Sequence, residues 1–221
     1  MNITCLQTGI LHVNTYIVPC SGVCASEQGN PAFIIDPGGN IESIIRALEK
    51  NRFQLVAIVL THGHFDHIGA LASLKDRYPD AIICVHEADA CYVGKDGYEM
   101  HRKGFNLLRM SGQFFFTHDE LPPYDYLLED NASLYFAPDW IVLHTPGHTP
   151  GSISLYNAQE KILFSGDTLF ASSYGRSDLP GGNFDELKQS LTRLLQLPQD
   201  VTVYPGHEKS TTVAKEQNIL T

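Results

Sequence analysis

The chain has 221 residues, of which 43% are hydrophobic and 18% charged, and a formal net charge of −10. This is the composition of a folded globular protein with room for a sizeable core. The acidity argues against nucleic acid as a partner, because phosphate contacts need a basic footprint. The first residues, MNITCLQTG, have no basic region and no long apolar run, and nothing later approaches membrane-spanning length. A cytoplasmic protein that does not enter a membrane is therefore expected. The five cysteines, at 5, 20, 24, 84 and 91, read as reduced thiols. Cys20 and Cys24 are close enough for a small zinc or disulfide clip, but no second pair with zinc-like spacing follows.

Residues 1–19 read as two short strands around a turn at Gly9, with His12 structural or on the surface. Residues 20–31 are small and polar and suit a hairpin loop. Ala32 to Ile35 resume a strand that ends in the turn Asp36-Pro37-Gly38-Gly39. Asp36 would either orient a ligand histidine from behind or cap the next helix. That helix spans Ile41 to Asn51, where Ile41, Ile44, Ile45 and Leu48 fall at helical spacing.

Leu55 to Leu60 is a short, β-branched apolar run, the pattern of a buried strand. It stops abruptly at His62-Gly63-His64-Phe65-Asp66-His67, and a helix from Ile68 to Leu74 is expected after it. Imidazole and carboxylate donors crowded into one strand-to-helix turn suit zinc and other first-row metals. Without a cation, four such groups would repel or lie buried without partners.

A further strand at 81–86 ends in His86 and Glu87, whose spacing is poor for a metal, and both read as structural. Residues 92–130 are the least patterned part of the chain. They include a helix at Tyr98 to Met110, the aromatic run Gln113 to Phe116, and His101 and His118 as surface polar groups. This segment reads as an insertion at about 92–130, either a lid or an oligomer contact such as that of a homodimer.

Strands follow at 134–136, 140–143, 152–156, 161–164 and 201–204, with a helix at Phe184 to Leu195. Three of these strands end in donor residues: His148 after a Pro-Gly turn, Asp167 in Ser165-Gly166-Asp167-Thr168, and His207 in Pro205-Gly206-His207-Glu208. His144 reads as structural. Strand ends that converge on one rim make a ligand site. No repeat or linker stands out, so 1–221 reads as a single domain.

The run His62 to His67 resembles the H-x-H-x-D-H signature of the metallo-β-lactamase superfamily. The later donor segments appear in that family's order, and the likeness extends over residues 3–210 apart from the 20–31 loop and the 92–130 insertion. It implies an αββα sandwich, classed α+β, with the site on one edge. It also implies two divalent metal ions, zinc first and iron or manganese as alternatives, about 3.5–4 Å apart. By the same resemblance His62, His64 and His148 hold one metal, Asp66, His67 and His207 hold the other, and Asp167 bridges them.

Asp167 stands where some β-lactamases have Cys, which disfavours antibiotic hydrolysis. Asp167-Thr168-Leu169-Phe170 with Gly175-Arg176-Ser177-Asp178 resembles the glyoxalase II branch. That branch implies hydrolysis of a small-molecule thioester, with Asp66 also orienting the nucleophile. Arg176 would either meet a substrate carboxylate or pair with Asp178. The longer members' glutathione-binding segment is not expected here. The same loop resembles persulfide dioxygenases, which would use one iron on His62, His148 and Asp167. A lactone or ester substrate and a non-catalytic metal-binding protein complete the alternatives.

Overall fold

Two six-stranded sheets lie face to face in the computed structural model, which describes residues 1–20, 29–107, 118 and 120–220. The first sheet is ordered β1 (Thr4–Thr8), β2 (Val13–Pro19), β3 (Asn30–Ile35), β4 (Phe53–Val59), β5 (Ile82–His86) and β6 (Tyr126–Leu128). Strands β1 to β3 pair antiparallel, and β4 to β6 are added in parallel. The second sheet begins at β7 (Ser133–Leu134), β8 (Ala137–His144), β9 (Ile153–Asn157) and β10 (Ile162–Gly166). It ends with β13 (Thr202–Pro205) and β14 (Thr211–Thr212), while β11 (Leu169–Phe170) and β12 (Ser173–Tyr174) form a hairpin of their own.

Strands β3 and β4 show why their sequences are apolar throughout. Phe33, Ile35, Ala57 and Val59 face the layer between the sheets, where they meet Trp140, Leu155 and Phe164. Their alternates Ala32, Ile34, Leu55 and Ile58 face outward against Ile44, Leu48, Leu71 and Leu74. Both faces are covered, so neither tolerates polar side chains. The outer layer on this side is α1 (Ile41–Lys50), α2 (Phe65–Ile68) and α3 (Leu71–Arg77). On the far side, α5 (Phe184–Leu195) lays Leu187, Leu191 and Leu194 on Leu163 and Val203. The result is the αββα sandwich. Trp140 is fully buried between the sheets, 6.0 Å from the Phe33 ring and 5.1 Å from that of Phe164. Truncating such a side chain to Ala costs about 3–5 kcal/mol.

Three expectations need correction. The helix expected at Ile68 to Leu74 is two helices, and the first starts earlier, at Phe65. Between them the Ala70 amide donates to the Pro37 carbonyl at 2.8 Å, which ties the break to the turn after β3. Tyr126–Leu128, placed in the 92–130 insertion, is the sixth strand of the first sheet and pairs with Cys84 to His86. His101, read as surface, is 4% exposed on α4 (Gly97–Leu107), and its Nε2 lies 2.9 Å from the Tyr92 carbonyl. His118 does lie on the surface side, with Nε2 2.9 Å from Asp76. The loop residues 21–28, with Cys24, and the run Gln113 to Phe116 lie outside the described residues. Among the described residues, no helix is long and apolar enough to cross a membrane.

Candidate metal centre

The strand ends that carry donors meet on one rim because backbone bonds lace them together across the two sheets. The Ile153 amide donates to Thr61, Asn14 to Gly206, and Gly206 to Gly166, at 2.7–2.8 Å. The Asn14 side chain donates to the carbonyls of Pro205 and Glu208, and the Tyr16 hydroxyl donates to Pro205, which shapes the turn carrying His207.

All seven sequence-expected donors come together. His62, His64 and His148 form one group, and Asp66, His67 and His207 another, each with donor atoms within 4.8 Å of one another. Asp167 faces both groups. Its Oδ1 lies 3.4 Å from His67 Nε2, and its Oδ2 lies 3.5 Å from His148 Nε2 and 3.6 Å from His207 Nε2. Asp66 Oδ2 is 3.3 Å from His207 Nε2. Asp36, His62 and His67 also cluster, but both Asp36 oxygens are already engaged. Oδ1 accepts from the Thr61 amide, and Oδ2 from the Thr61 hydroxyl and His67 Nδ1. Asp36 therefore orients His67 from behind. It does not cap the following helix, whose first turn receives no side-chain cap. Its φ of 51° is the left-handed conformation, a local strain of the kind found at functional sites.

Hydrogen bonds fix three of the histidine tautomers. His67 Nδ1 faces a carboxylate at 2.9 Å, so it must donate. His148 Nδ1 faces the Arg176 carbonyl at 2.6 Å, so it donates too. The Thr61 hydroxyl gives its proton to Asp36, so the His62 Nδ1 beside it at 3.1 Å is the donor in that pair. In its neutral form each of these rings carries its lone pair on Nε2. His62, His67 and His148 Nε2 are all buried without a hydrogen-bond partner among the described residues, as is Asp167 Oδ1. Buried polar atoms are almost always paired. Orphaned lone pairs converging around an acidic group are what a cation satisfies, and the donor set fits divalent first-row metals.

The electrostatics agree. Burial, then the neighbouring histidines, holds His62 well below the ordinary imidazole range, and burial likewise lowers His64 to about 3. Both are neutral and able to ligate. Around His67 and His207 burial opposes charge, but Asp167, Asp66 and, at His67, Asp36 outweigh it and push both imidazoles up. Burial also disfavours ionised Asp66 and Asp167, yet His67 in each case helps hold the carboxyl below its usual range. The second group is thus a nest of carboxylates that attracts positive charge.

Arg176 is exposed and pairs bidentately with Asp178, at 2.7 Å on both arms, while its main-chain carbonyl holds His148. His86 and His144 stack on each other at 4.0 Å, outside the donor groups. Sequence reading missed Asp89. It is fully buried and accepts from the Gly63 amide, the Thr149 hydroxyl and the Gly151 amide. It therefore binds the His62–His64 turn to the His148 loop. Its partners lie 26 to 62 residues away, so no local pattern marks it.

Beside the donors opens a cavity of about 520 Å³, whose wall includes Phe65, Tyr92, Met100 and Phe105.

Comparison with known proteins agrees with this arrangement. The family model of the Metallo-beta-lactamase superfamily matches residues 11–207. A hydroxyacylglutathione hydrolase, GloC, of Haemophilus influenzae is 32% identical over 94% of this chain and 93% of its own. Two solved structures superpose with a TM-score of 0.81. One is the BLEG-1 B3 metallo-beta-lactamase, 33% identical over 98% of this chain and 97% of its own. The other is TTHA1623 in a di-iron-bound form, 32% identical over 98% of both chains. The chain belongs to the metallo-beta-lactamase superfamily.

Proposed function

We propose that this protein is a two-metal hydrolase of thioesters. The observation that carries the reading is the set of buried, partnerless Nε2 atoms on His62, His67 and His148 with Asp167 facing both donor groups. The likeness to a hydroxyacylglutathione hydrolase and to a di-iron protein supports the thioester and the second metal.

His62, His64 and His148 would hold one metal, Asp66, His67 and His207 the other, with Asp167 shared. When bound, two such ions lower the pKa of a water toward about 7 and polarise an acyl oxygen. The chain's own groups do the rest. Asp66, held ionised, orients the attacking water through its carboxylate. Water adds to the acyl carbon, the C–S bond breaks, and the thiol and a carboxylic acid are the products. A thiolate leaves readily, so no strong general acid is required. The Asp36–His67 and Arg176–His148 bonds keep both rings aimed at the centre.

The likeness to a B3 metallo-beta-lactamase favours a second reading, opening of a lactam by the same acyl chemistry. One assay separates the two. Metal-loaded protein and the Asp66→Ala variant are given a hydroxyacylglutathione and a penicillin. The thioester reading expects turnover of the thioester, lost by a hundredfold or more in Asp66→Ala with the circular-dichroism spectrum unchanged. Near-normal turnover by Asp66→Ala would sink the role given to Asp66, and turnover of the penicillin alone would establish the lactam reading.

A further inference from the structure

The cavity that opens onto the donor groups is apolar on one side. Phe65, Tyr92, Met100, Phe105 and Leu179 line it, while His64, Asp66, His148, Asp167 and His207 form its floor. Phe105 is 3% exposed and packs on Phe65 at 4.8 Å, so this wall is a built surface and not a set of loose side chains. Helix α4, which supplies Met100 and Phe105, is anchored to the centre's side of the fold by the His101–Tyr92 contact. Apart from Asp66 and Asp167 on the floor, the charged residues that line the cavity among the described residues are Lys103 and Arg176. Lys103 and Arg176 are exposed, and Arg176 is already matched by Asp178.

We infer that the preferred substrate is a thioester of a bulky apolar acyl group, hydrolysed faster than that of a small hydroxyacyl group; this rests on the thioester reading above. At about 520 Å³ the cavity is within the range that holds a drug-sized ligand. A two- or three-carbon acyl group placed over the donors would leave most of the aromatic wall wet. A medium-length aliphatic or aryl chain would cover it. The thiols that carry acyl groups are polar and often charged, which suits the exposed margin at Lys103 and not the wall, so the apolar half is the acyl half.

The test is a series of straight-chain acyl thioesters of N-acetylcysteamine, from acetyl to octanoyl, hydrolysed by the metal-loaded protein. Each buried methylene is expected to raise kcat/KM by roughly three- to fourfold until the cavity is full. Met100→Trp, which fills the wall, should lower the octanoyl-to-acetyl ratio about tenfold. Equal kcat/KM across the series, or a ratio unmoved by Met100→Trp, overturns the inference while leaving thioester hydrolysis standing. Hydrolysis of no thioester at all overturns the functional reading, and this inference with it.

Discussion

Asp89 Oδ2 accepts the Gly63 amide at 2.8 Å, on the peptide between His62 and His64. The same oxygen accepts the Thr149 hydroxyl at 2.7 Å, next to His148. One buried carboxylate therefore sets the spacing of three donors. Burial outweighs the three hydrogen bonds and raises its carboxyl above the usual range. Asp89→Asn keeps the volume but places an amide donor against these N–H and O–H groups. Residues of this kind typically change metal affinity by about 10–100-fold. Chelator titration should strip metal from the variant at correspondingly lower chelator concentration, and curves that overlay would remove Asp89 from this role.

Asp36 is the counterpart behind His67. Replacing it with Ala removes the acceptor of the His67 Nδ1–H and both Thr61 bonds. The expected result is selective. The group Asp66, His67 and His207 weakens by about 10–100-fold, while His62, His64 and His148 still bind. Metal content after dialysis should approach half that of the wild type, and retention of all metal would contradict it.

Gly206 lies against the centre. A Cβ there would sit 2.2 Å from Asp167 Oδ1 and 2.8 Å from His67 Cε1. Gly206→Ala must displace the shared carboxylate. A displacement near 1 Å can cost about 10²-fold in rate, so kcat should fall by about that factor with the melting temperature little changed. Wild-type kcat would show that Asp167 need not be held where it is.

His101 yields a pH dependence of stability. Burial lowers its imidazole to about 4, against an ordinary 6.5. The unfolded chain therefore binds the proton first as pH falls. The neutral ring's contribution is complete above about 6.5 and is lost between 6.5 and 4, up to about 3 kcal/mol. His101→Gln should flatten the difference in stability between pH 7 and pH 4.5, as read by urea denaturation. An unchanged slope would mean that His101 does not titrate in that window.

Most of the centre was legible because its donors end strands. A short apolar run followed by polar donors is a local pattern, and it marked His62, His64, Asp66, His67, His148, Asp167 and His207, which the fold brings to one rim. The amphipathic helix Phe184–Leu195 was legible for the same reason, with Leu187, Leu191 and Leu194 at helical spacing. Of what holds the donors, Asp36 was legible as one of two alternatives, and the rest was not. Asp89, Thr61 and the Arg176 carbonyl act through contacts made by the fold, and a main-chain carbonyl leaves no residue-type signal at all. His101 looked like surface because it lies in the least patterned segment of the sequence, whereas it is buried on α4.

The most direct test is elemental analysis of metal per chain, on protein purified without added metal. A two-metal centre gives close to two zinc, iron or manganese atoms per chain, falling to about one in Asp36→Ala. Close to one iron in the wild type, with little else, would contradict a two-metal centre and turn attention to single-iron oxygen chemistry.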